Sequence, residues 1–544
     1  MPLRAAHQIV RRDRPFPLPL VFPLIFVAVY LSHFALLRLP YYWDEAGYYI
    51  PAAYDLLRTG SLIPYSTLSN AHPPLPSLYL AAWWQLSGFF PYVTRTAMCL
   101  VASLALLGVY RLAQVVARRT QVAIATLLLT ALYPVWFAQS TLAHADMFAA
   151  AGTLWGLAFF LQAKQRARLP IAAAVCFALA ALAKETAVVT PLALVFYEIA
   201  LAFRDRRTRE SAGSRTESAL ARRRWAQDSL ALLASLLPLC AWYAYHWHRT
   251  GYVFGNPQYL RYNATATLDP LRILLALAHR IMHVAAHMNM FVPVLCALAA
   301  LLLVPRADKD GSVRPPLART MTAPLLTVLC ANVLFFSVVG GALLTRYLLP
   351  AYPIVLLFCV YAFYRRVHPW TAMVALSGGA FLIGLFINPP YRFAPEDNLA
   401  YRDVVLLHQE AIRQILTRYP GSTVLTAWPA TDELSKPELG YVKHPVAVAA
   451  IDNFSLAQIE RAASLREPYT VGLLFSTKYD PPHLLFNLGA RNERLNQRFF
   501  DFHHDLSPQQ VAALLGGKVT WQDQRKGQWA AVLHFDRPQL ASLR

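Results

Sequence analysis

Long apolar runs recur through the first 388 residues, and they decide what this chain can become. They fall at 17–38, 93–116, 121–140, 147–163, 169–183, 186–203, 226–247, 288–304, 321–339, 347–364 and 369–388, about eleven in all, each about long enough to cross a bilayer. Inside lipid the backbone must satisfy its own N–H and C=O groups, so runs of this kind fold as helices. The composition agrees. Of 544 residues 56% are hydrophobic and only 15% charged, where a soluble chain is nearer 25% charged. A single soluble enzyme is excluded, and so is disorder, which needs low hydrophobicity. The expected fold is an α-helical polytopic membrane protein with about eleven transmembrane helices.

The formal net charge of +20 has two readings. A basic chain suits nucleic acid, but a membrane protein also concentrates Lys and Arg in its cytoplasmic loops. The position of the charges separates the two. Basic clusters lie at Arg118-Arg119, Lys164 to Arg168, Arg204 to Arg224, Arg306 to Arg319 and Arg365-Arg366, between apolar runs. The first run follows Arg4, Arg11, Arg12 and Arg14 and has no cleavage site, so it reads as a retained signal anchor with its N-terminus in the cytoplasm. The segment 74–90 is apolar but short, proline-bounded and aromatic. If it lies in the interface without crossing, all five clusters share the cytoplasmic side, as the positive-inside rule requires. Residues 39–92 then form one outside loop with interfacial helices, and 140–146, 184–185, 248–287 and 340–346 also face outside. Residues 205–224, rich in Arg and Ser, read as a mobile cytoplasmic loop. The expected place is the plasma (inner) membrane, multi-pass, and no nucleic-acid partner is expected.

Composition changes after 388. Alternating runs at 422–427 and 469–475 read as strands, and 399–418, 455–465 and 507–515 as helices. The expected organisation is a transmembrane domain over 1–388 and a soluble extracytoplasmic α/β domain over 389–544. The six cysteines all lie in apolar runs with no metal-ligand spacing, which argues against a disulfide framework or a cysteine zinc site.

Few ionisable residues fall at the outer face, and those few are the candidates for chemistry. Asp44 and Glu45 follow the first span among aromatics. Burial or a nearby cation would tune either as a general base, or Asp44 simply caps the helix that starts at Glu45. His72 precedes Pro73-Pro74, where the chain turns into the interfacial segment. Asp146 lies in the second outside turn, on the same membrane face as Asp44. Lys184 and Glu185 interrupt two spans; an outward Lys runs against the positive-inside trend and suggests an anion beside it, or else an ion pair with a carboxylate. Arg346-Tyr347 opens the span at 347–364, and a planar guanidinium there suits a phosphate, or anchors the helix at the interface. His279, His283 and His287 are spaced i, i+4, i+8 and would share one helix face. That spacing suits zinc, or the wet face of an interfacial helix. No P-loop, dinucleotide fingerprint, HExxH or G-x-S-x-G is present.

In this order and sidedness, Trp43-Asp44-Glu45, His72-Pro73-Pro74-Leu75, Asp146, Lys184 and Arg346-Tyr347-Leu348-Leu349-Pro350 resemble the GT-C glycosyltransferases. The resemblance is to the bacterial branch with the protein O-mannosyltransferases and the lipid A aminoarabinose transferase, and covers roughly 1–388. It implies a polyprenyl-phosphate-linked sugar as donor, used on the outer face. By the same resemblance Asp44 activates the acceptor, with Asp146 and Glu45 as further acids. Arg346, Lys184, His72 and Tyr347 would meet the donor phosphate. Two positions depart from the family pattern: His72 stands where many relatives carry Lys, and Glu185 replaces a Gly. The tail has no sugar-binding repeats.

The expected function is therefore transfer of a sugar from that donor to a protein, lipid or glycan acceptor, with inversion of the anomeric centre. No cofactor is required, and a divalent metal is left open. The alternative is a transporter or flippase of lipid-linked sugars. Transporters place ionisable groups at the bilayer midplane and often show repeats. Here no repeat is visible and the candidates sit at the rim.

Overall fold

Helix dominates up to residue 386. The computed structural model describes residues 16–210, 215–308, 311–465, 468–479, 481, 489–500 and 502–535; the basic residues Arg4, Arg11, Arg12 and Arg14 lie outside them. The first helices are α1 (Leu18–Ser32), α2 (Ile50–Thr59), α3 (Leu75–Ser87), α4 (Pro91–Ala117), α5 (Thr120–Leu132), α6 (Pro134–Gln139), α7 (Ala145–Gln165) and α8 (Ile171–Ala183). Then come α9 (Val189–Glu210), α10 (Arg215–Ala234), α11 (Leu237–Thr250), α12 (Pro257–Asn263), α13 (Pro270–Ala285), α14 (Phe291–Leu301), α15 (Arg319–Val338), α16 (Ala351–Arg366) and α17 (Trp370–Phe386).

Every one of the apolar runs carries helix, but not every run is one full-length helix. Among the described residues, length and composition pick out Pro91–Ala117, Glu185–Arg204, Arg224–Thr250 and Arg319–Val338, plus the pair Pro270–Asn289 and Phe291–Leu301, bent by 99°. Prolines and tight turns account for the shorter pieces. The run 121–140 breaks at Tyr133, and Pro134 starts α6. The aromatic α3 has 13 residues, about 20 Å at 1.5 Å per residue, short of the roughly 30 Å hydrocarbon core.

Two expectations are corrected. The segment 205–224 is not a loop throughout: α9 continues to Glu210 and α10 begins at Arg215, as suits a stretch rich in Arg, Ala and Glu; residues 211–214 lie outside those described. The three histidines do not share one helix face either. The helix α13 stops at Ala285, and His287 sits in the following turn, where Met288 takes φ +48°.

The bundle has two distinct ends. Arg118 follows α4 and lies roughly 35 Å along its axis from Arg95. At that end Arg119 lies 3.6 Å from Asp308, Arg314 Nε lies 2.7 Å from the same carboxylate, and Arg365 Nε donates to the Arg314 carbonyl at 3.1 Å. At the Arg95 end the loops 39–49, 140–146, 184–185 and 340–348 converge.

The tail packs on that second end. It contains α18 (Ala400–Arg418), β1 (Val424–Ala427), α19 (Ala430–Ser435), β2 (Val448–Ile451), α20 (Leu456–Ala462), β3 (Val471–Phe475), α21 (Gly489–Phe499), α22 (Pro508–Leu515), β4 (Gly517–Arg525) and β5 (Gln528–Phe535). The sheet order is β2-β1-β3-β5-β4. The strands β1, β2 and β3 run parallel, with Val424 opposite both Val448 and Val471; β5 is antiparallel to β3. The β4–β5 hairpin turns at Lys526-Gly527, both at positive φ, the geometry that suits a two-residue hairpin loop. Leu407, Ile412 and Ile415 of α18 bury against the sheet. A smaller apolar cluster of Leu36, Leu39, Tyr42, Leu399, Tyr401 and Val404 joins the loop after α1 to α18. Tyr41 N–H donates to the Leu439 carbonyl at 3.2 Å, and Tyr441 Oη–H to the Tyr41 carbonyl at 3.1 Å.

Candidate active site

The site is built on a buried ion pair. Arg95, in the first turns of α4, grips Glu45 with Nη1 to Oε1 and Nη2 to Oε2, both at 2.9 Å, and neither side chain is exposed. Glu45 also accepts from the Ala143 N–H at 2.6 Å and the Tyr42 N–H at 2.9 Å. Its oxygens are thereby committed, and they fasten the loop after α1 to the turn that leads into Asp146. Asp44 makes no capping bond to the helical turn Glu45–Tyr49. Its side chain goes to Arg346 instead.

Arg346 lies in the tight helical turn Thr345–Leu348 ahead of α16. Nη2 donates to Asp44 Oδ2, and Nη1 donates to Glu396 Oε2 at 2.5 Å. Nε lies 3.3 Å from Asp146 Oδ2, and Lys184 Nζ donates to the other oxygen of Asp146. The same Nζ stands 4.1 Å from the centre of the Tyr347 ring. Asp44, Asp146, Lys184, Arg346 and Tyr347 thus meet, from four separate segments. His72 sits one ring away: Nδ1 is 3.2 Å from Glu185 Oε2, and its ring stacks on Tyr49 at 5.7 Å.

Exposure divides the carboxylates. The Asp44 side chain is 35% accessible, Asp146 2% and Glu396 4%, with Arg346 at 3%. Asp44 is the acid of this group open to an incoming molecule. Burial pushes the Glu396 carboxyl up to about 8; the guanidinium opposes this, while Asp44, Asp397 and Asp146 add to it. Burial, then Arg346 and Lys184, hold His144 well below the usual imidazole range, so it stays neutral.

The three histidines are dispersed. His287 Nε2 lies 2.9 Å from Asp397 Oδ2, His279 Nδ1 lies 2.9 Å from the Leu275 carbonyl, and His283 Nδ1 has no partner among the described residues. Among the described residues no group of three or more His, Cys, Asp or Glu side chains is arranged for a metal ion. The acids that do converge face Arg346 and Lys184, so the donor set fits cations of the chain itself.

Sequence reasoning did not find Glu396, Asp397, His144 or Arg95 as site residues. Asp397 accepts from Thr345 Oγ1 and so pins the 395–397 turn beside Arg346. A signal existed: Pro395-Glu396-Asp397 is an acidic pair a few residues past the last apolar run, the same pattern that drew attention to Asp44-Glu45.

The apolar helices mark a multi-pass membrane protein, and the Arg95 end of the bundle carries this buried group of acids and cations. Residues 71–214 match the family model for dolichyl-phosphate-mannose-protein mannosyltransferase. The whole fold is similar to ArnT from Cupriavidus metallidurans bound to undecaprenyl phosphate, with a TM-score of 0.56 and 13% identity, covering 96% of this chain and 98% of that one. Against the apo state of the same ArnT the values are 0.51, 15%, 95% and 98%. No curated protein sequence matches the chain. The chain thus shares the fold of the ArnT structures, and its segment 71–214 matches the mannosyltransferase family model.

Proposed function

We propose that this protein transfers a sugar from a polyprenyl-phosphate carrier to an acceptor hydroxyl on the extracytoplasmic face of the plasma membrane. The observation that carries the reading is the convergence of one accessible carboxylate, Asp44, with two buried cations, Arg346 and Lys184, at a single rim of the bundle. The lipid in the ArnT structure, undecaprenyl phosphate, supports the carrier class.

Asp44 takes the acceptor proton as the acceptor oxygen bonds to the anomeric carbon. The bond from that carbon to the phosphate oxygen breaks, and its electron pair leaves with the phosphate. Charge growing on the phosphate is met by Arg346, Lys184 and, farther out, His72. The transition state is oxocarbenium-like, as in glycoside chemistry, and one direct displacement inverts the centre. Asp146, bound to both cations, holds them in place; we assign it orientation and route no step through a metal. Glu45, saturated by Arg95 and two backbone N–H groups, is a positioning residue. The aromatic α3 supplies a bed for the polyprenyl chain.

The test is transfer of labelled sugar from a polyprenyl-phosphate donor by membranes carrying Asp44→Asn. Turnover should fall by about 10²–10⁴-fold. Near-normal turnover overturns the assignment.

A further inference from the structure

Trp43, the residue before the proposed base, takes φ +48°, a conformation that large L side chains seldom adopt. Its ring meets Trp428 of the tail edge to face, with centroids 4.9 Å apart and planes at 72°. Trp428 follows the last residue of β1 and reaches across to the first outside loop. It lies so close to Gly47 that a Cβ there would stand 2.9 Å from Trp428 Cζ2, so this position in the loop has to be glycine if the indole is to lie there.

Both indoles are half-buried. Trp84, Trp155 and Trp242 each donate their indole N–H within the protein, at 2.8, 2.9 and 2.9 Å. Trp43 and Trp428 donate theirs to nothing among the described residues, which holds for Trp136 as well, so what sets these two apart is their place beside Asp44. Apolar packing alone does not explain a strained backbone, a cleared glycine and two unpaired donors next to the most accessible carboxylate of the site. The chemistry on offer is aromatic face, N–H donors and a carboxylate acceptor. A pyranose uses all three: its C–H face lies on the indoles, and its hydroxyls take the N–H donors and give to the carboxylate.

We infer that Trp43 and Trp428 form a sugar-ring subsite for the acceptor, on the tail side of Asp44. Arg346 holds the other side of that carboxylate, where the donor phosphate belongs; the assignment to the acceptor rests on the transferase reading above. The tail thereby contributes to acceptor choice through one side chain.

The test uses the full chain in lipid nanodiscs. Maltotetraose, chitotetraose and mannotetraose are titrated by saturation-transfer NMR, with and without excess undecaprenyl phosphate. At least one tetrasaccharide should bind, about tenfold more weakly to Trp428→Ala and with an intermediate loss in Trp428→Phe. Undecaprenyl phosphate should not displace it. Thermal midpoints report folding, and if Trp428→Ala is unfolded the Phe variant and Trp43→Phe carry the comparison. Absence of binding by all three sugars, equal affinity in the variants, or displacement by undecaprenyl phosphate overturns the acceptor subsite. The two readings fail separately. Sugar binding that depends on Trp428 in a protein that transfers nothing keeps the subsite and sinks the transferase. Transfer that needs Asp44 but ignores Trp428 does the reverse.

Discussion

Arg346 faces more negative charge than it balances. Asp44, Asp146 and Glu396 set three negative charges against the two positive charges of Arg346 and Lys184. Burial, reinforced by the neighbouring acids, raises the Glu396 carboxyl from 4.5 to about 8, and one proton there neutralises the group. The folded state therefore holds a proton there that the unfolded chain has already lost. Its contribution to stability is complete below about 4.5 and is lost as pH rises through about 8. Glu396→Gln should flatten the fall in thermal midpoint over that window, measured by scanning fluorimetry. An incoming phosphate anion favours the same proton, so the donor KM should rise as pH passes about 8 and should rise less in the Gln variant. Arg346→Lys keeps the charge but loses the planar fork, and kcat/KM should fall by about 10²–10³-fold. Asp44, Asp146, Lys184 and Arg346 were legible in the sequence because ionisable groups are conspicuous between apolar runs. Glu396 was not, because it lies where mixed charge has already resumed. Arg95 reads as one more residue near a helix start; only the fold shows its guanidinium closing on Glu45.

At the scale of elements, apolar periodicity revealed helices and left their breaks hidden. The bend at 287–290 depends on Met288 and Asn289 both taking positive φ, a local strain that no residue-type pattern announces. The β4–β5 hairpin was missed because its turn is Lys526-Gly527 and not a marked Asn-Gly. The turn Glu45–Tyr49 is positioned by burial. Its first residue anchors to Arg95 on α4 and to Ala143 ahead of α7, so one carboxylate registers three elements. Removing one partner from a fully buried pair leaves the other charge stranded, at a cost of about 3–5 kcal/mol. Arg95→Met should lose roughly that much stability, with activity and thermal midpoint falling together. Glu45→Gln keeps one acceptor oxygen but sets its NH2 against a donor and leaves Arg95 without a counter-charge, so stability and activity should again fall together. A catalytic Glu45 would give the opposite pattern, with turnover lost at unchanged thermal midpoint.

Across the whole molecule, the tail is not an appendage on a finished site. The composition change after 388 suggests a separate unit whose removal changes acceptor range more than donor binding. The packing argues otherwise for its first ten residues. Glu396 reaches Arg346, Asp397 takes the Thr345 hydroxyl, and Asn398 Nδ2 donates to the Gly384 carbonyl at 3.2 Å on α17. The elements beyond them touch the first outside loop from the tail side, through Tyr401, Leu439, Tyr441 and Trp428. Deleting 389–544 should therefore weaken donor binding as well as acceptor binding, because it removes the 395–397 turn that holds Thr345 and Arg346 in place and uncovers the loop that carries Asp44. Donor binding is read by titrating undecaprenyl phosphate into the deleted and full-length proteins. Unchanged affinity after deletion would show that the 395–397 turn is dispensable for the donor pocket. Weakened affinity restored by a chain ending after Arg418, which keeps Glu396, Asp397 and α18, would place the donor contribution in that turn and leave the sheet to the acceptor.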